Sequence, residues 1–511
     1  MMPDHPRDEM RPIPLELIES ALARAGLLVD RQGTMPSGLA AIADDSRRVV
    51  PGGLFVAIRG SVLDGHDYVP VAVAAGAAAL VVENPAAPAV AASGLPFLVV
   101  GDGRRAAAVV AAEVFGRPAD SLTLVAVTGT NGKTTTVNML RHLLDAPGRI
   151  AASIGTLGVL VGSEARPLEG GAGLTTPGSV ELQRVLRALV DAGVRTVAME
   201  VSSHSLDQRR VEGLRFDAAV FTNLTRDHLD YHSTMEAYFD AKARLVSYLA
   251  PGGVAVVNAE EPAWQGLLPA ARVTRFSAAG AAGAEVAAEA LRFDARGTSC
   301  TLRFGDERHE GRIPLIGDFN VENALGAAAA AWALGLEPER IAARIATLPQ
   351  VPGRLEVLSE RPLVLRDYAH TPDALERALR AVRPFVLGRL IVVFGCGGGR
   401  ARGKRPEMGR IAAAESDLPV VTSDNPRTED PERILDDIVA GMDGAAHLRV
   451  EDRRAAIAEA IALADPGEDA VLLAGKGHET YQVRGTERLH FDEAEIVDEL
   501  LGTHPDYGMG R

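Results

Sequence analysis

Between Leu124 and Thr136 the chain reads LVAVTGTNGKTTT: an apolar run of strand type, a glycine turn, a lysine, then hydroxyls that open an amphipathic segment. Binding a nucleoside triphosphate requires that order. Backbone amides around Gly129, Asn131 and Gly132 can wrap phosphate oxygens because glycine permits the turn, with Thr130 and Thr135 completing the loop. Lys133 adds positive charge, Thr134 can ligate Mg2+, and the helix N-terminus aims its N–H groups at the anion. Val127 stands where the pattern GxxxxGK[ST] has its first glycine, so the loop is a shortened GTNGKT variant. A glycine turn with a surface lysine is the plainer alternative, and the adjacent GK and TTT favour phosphate. The motif specifies ATP or GTP and leaves the reaction open.

A chain of 511 residues is too long for one ordinary core, and about two to four domains are expected. Its 47% hydrophobic and 24% charged residues describe a soluble globular protein. The most apolar runs, 71–82 and 324–336, fall short of the ~20 residues a membrane span needs. The polar, proline-bearing start is not a secretory signal. Cys300 and Cys396 lie far apart without metal-type spacing, which argues against a disulfide scaffold or zinc site and for a reducing cytoplasm. A net charge of −15, from 68 acidic and 53 basic residues, with few aromatics and no basic run, argues against a nucleic-acid partner.

Helical periods and short apolar runs alternate along the whole chain, so three α/β domains are expected. A loose tail, 1–14, precedes a small N-terminal α/β domain, 15–120, with strands at Leu54, Ala79 and Pro96. A central P-loop ATPase domain with a mostly parallel sheet follows, 121–352, with strands at Thr196, Asp217 and Gly253, a hairpin turning at Gly305 and Asp306, and an alanine-rich helix from about Val321. The third domain, 353–501, repeats strand, loop and helix: LVLRDY, LIVVFG, PVVTSD and AVLLAG run into AHTPD, CGGGR, NPRTED and KGHET. That is the pattern of a Rossmann-like doubly wound domain, whose loops gather at the carboxyl edge where ligands bind. A second tail, 502–511, ends the chain.

Glu200 closes TVAME, and a carboxylate at that strand exit can hold Mg2+ or simply face solvent. His228, in TRDHLDYH, supplies an imidazole near the same edge, which suggests one metal centre. Ser233 and Glu236 have capping-box spacing, and the helix after them sets Tyr238, Phe239, Lys242, Leu245, Val246 and Leu249 at offsets of three or four. Lys242 thus lies on an apolar stripe. Either it snorkels to the edge or it reacts with CO2 to a carbamate, a carboxylate-like metal ligand. Asn320 and Asn323 share a helix face and could read an adenine edge, or Asn320 could be only a cap. Arg354, after the Pro352–Gly353 hinge, could reach a γ-phosphate on domain closure or could be a surface arginine. Arg400 and Arg427 can each clamp a carboxylate, while Asp424 and Glu479 can hold an amine, so the third domain suits an amino acid.

GTNGKT, MEVSSHSL, NLTRDHLDYH with the helix lysine, FNVENAL, DYAHTPDAL and GKGHE, in this order, resemble the signature blocks of the Mur ligases of bacterial peptidoglycan synthesis. The resemblance covers essentially the whole chain outside the termini. It implies an ADP-forming amide ligase adding meso-2,6-diaminopimelate to UDP-N-acetylmuramoyl-L-alanyl-D-glutamate, with Mg2+ as cofactor and ATP as co-substrate, acting as a monomer. It implies that Ser46, Ser61, Val62 and Leu63 meet the nucleotide sugar, and that Thr175, Thr176, Ser202, Gln208, Arg210 and Lys242 meet the muramoyl dipeptide. Lys242 would be the carbamylated metal-site lysine beside Thr134, Glu200 and His228. Arg400, Asp424, Asn425, Pro426, Arg427, Gly475 and Glu479 would bind the diamino acid, Arg427 reading its second carboxylate. Catalysis would rest on Lys133, Lys242, His228 and Arg354. A lysine-adding relative, a folylpolyglutamate synthetase, or a nucleotide-switch protein that makes no amide are the alternatives.

Overall fold

The computed structural model describes residues 12–60, 63–171, 173–267, 272–294, 296–399 and 402–502. Both expected tails fall almost wholly outside these residues, as do Ser61, Val62 and Arg400. Chain contacts define two units, Met1–Arg275 with Gly326–Leu336, and Phe276–Leu325 with Glu337–Arg511.

In the first unit the N-terminal sheet runs Leu28–Gln32, Phe97–Val100, Ala79–Val82, Leu54–Val56, Ile42–Ala43, antiparallel at the first pair and parallel after it. Strand period two sends Leu54, Val56, Ala79, Val81, Leu98 and Val100 to the face covered by the helices Leu15–Arg24 and Gly103–Val114. Phe55, Leu80, Val82, Phe97 and Val99 pack on the opposite face with Val69, Ala72 and Val90. Both faces are apolar because both are covered, as parallel strands require.

The same unit holds the strands Arg166–Leu168, Gly158–Val161, Ile150–Gly155, Val194–Glu200, Thr123–Thr128, Phe216–Phe221 and Leu249–Asn258, paired in that order. The first two pairs are antiparallel and the rest parallel. Leu124, Ala126, Val197, Met199, Ala219 and Phe221 form one core with Leu182, Val185, Leu186 and Leu189 of the helix Ser179–Asp191. The mostly parallel sheet expected of this domain is present, with the glycine-loop strand inside it.

In the second unit Gly297–Phe304 and Glu307–Ile313 form the expected hairpin, closing at Gly305 and Asp306. The final sheet has the order Glu356–Glu360, Leu363–Asp367, Ala470–Ala474, Leu390–Phe394, Leu418–Val421, Leu448–Arg449, parallel except at the first pair. Leu390, Val392 and Phe394 pack with the helices Pro372–Val382, Lys404–Glu415 and Pro431–Val439, whereas Ile391 and Val393 pack with Arg453–Leu463 and Glu493–Leu501. Helices on both faces make this domain doubly wound, as expected. No helix among the described residues is long and apolar enough to cross a membrane.

Candidate functional site

Strand register builds the first part of the site. Glu200 lies beside Val127, and Phe221 beside Thr128, so two strand ends flank the exit of Thr123–Thr128. Gly129 turns there at φ +150°, and a side chain on it would collide with the Thr222 hydroxyl. Thr222 Oγ1 donates to the Asn131 carbonyl at 2.7 Å, while Asn223 accepts the Thr130 amide on its carbonyl and the Asn131 amide on Oδ1, each at 2.8 Å. The Asn131 amide, expected to wrap phosphate, is thus bound by a side chain from the neighbouring strand end. The helix Lys133–Leu144 opens from Gly132 at φ +84° with no side-chain cap, which presents the positive end of its dipole at the loop.

Two lysines converge on one carbonyl. Lys133 Nζ donates to Gly129 O at 2.9 Å and to Thr130 O at 2.8 Å, and Lys242 Nζ donates to Gly129 O at 2.7 Å. Lys242 does not snorkel: it is 1% exposed, with Nζ 4.6 Å from the Tyr238 ring centre. Burial first, then the like charge of Lys133, holds its amine well below the ordinary lysine value, against the opposing pull of Asp227. Its helix, Met235–Ala243, is capped by Thr234, whose hydroxyl accepts the Ala237 amide at 3.2 Å. The Ser233 capping box is therefore incorrect, because Ser233 lies outside the helix at φ +65°.

His228, itself at φ +53°, stands 4.8 Å from His204 and 6.0 Å from Tyr238 between ring centres, and Tyr238 OH lies 3.2 Å from Thr130 Oγ1. Burial lowers the His228 imidazole below its ordinary value. His204 packs on Tyr231 at 4.2 Å and His232 at 5.4 Å, and burial, reinforced by His228, His232 and Arg210, pushes it down to about 4. His204 stands inside MEVSSHSL but joins the site only through the fold, which brings His228 and His232 against it.

Glu200 is 1% exposed and accepts from Thr156, N–H to Oε1 at 2.8 Å and Oγ1 to Oε2 at 3.2 Å. Its carboxylate fits because Gly155 has no side chain; a Cβ there would overlap it. The expected dipeptide residues lie along the same strand end. Thr175 Oγ1 is 3.3 Å from Thr156 Oγ1, Thr176 Oγ1 donates to Glu200 O at 2.9 Å, and the Ser202 amide donates to Thr176 Oγ1 at 3.2 Å. Arg210 donates to Thr176 O at 2.8 Å and to Gln208 Oε1 at 2.7 Å. Ser46 is buried in a turn, Ser46–Arg48, tied to the helix Ser179–Asp191 through Arg48 and Glu181 at 2.8 Å. Leu63 is 62% exposed.

The remaining expected residues belong to the second unit. Asn320 Nδ2 donates to Ile316 O at 2.8 Å and Asn323 Nδ2 to Asn320 Oδ1 at 3.3 Å, so the two amides share a face and Asn320 is bonded back rather than capping. The Arg354 guanidinium sits 4.8 Å from the Tyr368 ring centre. Nearby Asp367 is pushed up to about 6 by burial, against the pull of Arg354 and a 2.7 Å hydrogen bond from the Leu355 amide.

Asp424 and Asn425 are buried at the exit of Leu418–Val421. Asn425 Nδ2 donates to Glu479 Oε2 at 2.9 Å, and Arg427 Nη1 donates to Gly398 O at 2.8 Å. Pro426 packs its carbonyl so closely on Gly398 that a side chain there would overlap it. Gly475, at φ +118°, passes Asp424 with only 3.7 Å between Oδ2 and the place its Cβ would occupy. A separate cleft of about 400 Å³, lined by Leu315, Ile316, Leu355, Val357, Leu363 and Phe385 among others, contains none of the expected residues.

The Mur ligase family catalytic domain matches residues 39–114, the Mur ligase middle domain 127–331, and the Mur ligase glutamate ligase domain 353–477. The UDP-N-acetylmuramoyl-L-alanyl-D-glutamate–2,6-diaminopimelate ligase of Gloeobacter violaceus is 46% identical over 506 residues, covering 97% of this chain and all of that protein. Its namesake from Synechococcus elongatus is 46% identical over 92% of this chain and 95% of its own length. A solved structure of an enzyme of that name aligns with TM-score 0.66 and 32% identity, over 96% of this chain and 99% of the other. With the three domain matches in chain order and this identity over nearly the full length, the chain belongs to the Mur ligase family.

Proposed function

We propose that the protein is an ATP-dependent, ADP-forming ligase that joins meso-2,6-diaminopimelate to the D-glutamyl γ-carboxylate of UDP-N-acetylmuramoyl-L-alanyl-D-glutamate, in cytoplasmic peptidoglycan synthesis, as a monomer. The observation that carries it is the convergence of Lys133 and Lys242 on the Gly129 carbonyl of a phosphate loop. Relatives named for that activity match 97% and 92% of the chain.

A carboxylate is a poor electrophile, and phosphorylation activates it. Its oxygen attacks the γ-phosphorus, the bond to the β-phosphate oxygen breaks, and ADP leaves an acyl phosphate. Lys133 and Arg354 stabilise charge on the transferred group. The free diaminopimelate amine then attacks the acyl carbon, gives up a proton, and the tetrahedral intermediate expels phosphate to leave the amide. Asn320 and Asn323 serve the adenine; Ser46, Thr175, Thr176, Ser202, Gln208 and Arg210 serve the nucleotide-sugar dipeptide. Excluding water matters because the acyl phosphate hydrolyses readily.

Among the described residues no three His, Cys, Asp or Glu side chains gather as a metal site. The donors suited to Mg2+ would instead be hard oxygens, Thr134, Glu200 and a carbamate on Lys242, with the His228 imidazole as the further expected ligand. Lys242 fits, because burial disfavours its charged form, and the neutral amine can attack CO2, forming the N–C bond and releasing one proton. Mg2+ bound there would neutralise phosphate oxygens during transfer. Gly155→Ala is expected to displace the Glu200 carboxylate, raising the Mg2+ half-saturation and lowering kcat by about tenfold. An unchanged Mg2+ titration of ADP release would remove Glu200 from the metal set. The function itself is tested by supplying ATP, Mg2+ and the nucleotide dipeptide with diaminopimelate or lysine and weighing the product. A lysine adduct alone, or ADP release independent of amine, overturns it.

A further inference from the structure

Lys476 is fully buried, at 0% exposure, among the residues that the family resemblance assigns to the diamino acid. Its Nζ lies 3.3 Å from Asn425 Oδ1, 3.4 Å from Glu479 Oε2 and 3.6 Å from Asp424 Oδ1, with the Tyr481 and Phe491 ring centres each 5.8 Å away. A buried ammonium persists only when paired. Here it is shared among three oxygens at long range rather than locked on one. Asn425 fixes the frame: its Oδ1 also accepts the Val483 amide at 2.8 Å, and its Nδ2 holds Glu479 Oε2. Asp424 Oδ1, buried, has no hydrogen-bond donor among the described residues.

We propose that Lys476 is a positioning residue that sets the charge of this pocket for a zwitterionic end of the substrate, one ammonium beside one carboxylate. Asp424 and Glu479 carry −2, Lys476 returns +1, and the remaining −1 matches a single ammonium. Arg427 is left to pair with the carboxylate. Without Lys476 the two carboxylates present −2 and favour an end that is cationic only, such as the ε-ammonium of lysine. Lys476 also keeps the two carboxylates at a fixed separation, so Asp424 Oδ1 stays available to the incoming ammonium.

The proposal rests on the diaminopimelate reading, and wild-type enzyme separates the two: failure to use diaminopimelate at all would sink that reading. Given wild-type activity, Lys476→Met and Lys476→Gln are each expected to raise the KM for diaminopimelate by about tenfold or more, and to shift the diaminopimelate-to-lysine preference toward lysine. The KM values for ATP and the nucleotide dipeptide should stay within about twofold of wild type. Lys476→Arg, which keeps the charge, should recover most of the loss. Where the methionine variant unfolds, the glutamine variant carries the comparison. A diaminopimelate KM within about twofold of wild type in the neutral variants overturns the proposal, as does an equal rise for all three substrates or an arginine variant as impaired as the neutral ones.

Discussion

Lys242→Met is expected to abolish turnover, by about 10³-fold or more, and yet to raise the Tm of the protein in CO2-depleted buffer. Both effects come from one burial. The amine is 1% exposed, donates to the Gly129 carbonyl, and faces Lys133, so its charged form is disfavoured in the fold. The unfolded chain keeps that proton up to the ordinary lysine value of 10.5, whereas the folded chain releases it at lower pH. Between those two values the unfolded state binds more protons, so stability rises with pH across that window. Above 10.5 nothing is lost; below the folded value the full cost remains. Methionine fills the same space without a proton, so the gain should be largest at and below the folded value and vanish toward pH 10.5. Bicarbonate should not revive the variant, which has no nitrogen to carry a carbamate. Full ADP release by Lys242→Ala or Lys242→Met would eliminate the lysine from the metal site, and a lowered Tm at every pH would contradict its being a buried, disfavoured cation.

Apart from the hairpin, the strands that the sequence announced most clearly were those buried on both faces. LVAVT, LIVVF and AVLLA are continuous apolar runs because the chain covers both of their sides, and such runs carry their own signal. The strands it hid have weaker composition. Ile150–Gly155 reads IAASIG, small residues with little β preference despite their burial, and Glu356–Glu360 reads EVLSE, an edge strand with charged ends that is only partly buried. Site residues followed a similar division. Lys133, Glu200 and the DNPR run stand at strand exits, where periodicity itself marks a ligand edge. Asn223 gripping the phosphate loop, His204 joining His228, and Lys476 closing under Asp424 depend on which strands are neighbours, and a single sequence contains no record of that pairing. The cap of the Lys242 helix failed for a local reason: Ser233 adopts φ +65°, which leaves the adjacent Thr234 to cap.

Arg427→Ala is expected to lower kcat/KM for diaminopimelate by about 100-fold, ~2.7 kcal/mol, and for lysine by far less. The backbone makes this a clean comparison. Arg427 sits at φ +53°, a left-handed conformation that costs a non-glycine residue ~1 kcal/mol. It is held there because its amide donates to Val483 O at 3.0 Å and its carbonyl accepts from Gly485 N at 2.7 Å, on and beside the hairpin strands Tyr481–Arg484 and Glu487–His490. Alanine meets the same strain and the same two hydrogen bonds, so the loop is retained and only the guanidinium is removed. That guanidinium is positioned by Gly398 O at 2.8 Å, and its other N–H groups have no hydrogen-bond partner among the described residues, so they can take a carboxylate. Diaminopimelate differs from lysine by one such carboxylate, so the loss should fall on the amine that has it. Arg427→Lys keeps the charge but not the fork, and its loss should lie between those of wild type and Arg427→Ala. Equal losses for both amines would mean that Arg427 holds the loop together without reading the second carboxylate, and the selectivity would then have to come from Asp424, Glu479 and the lysine between them.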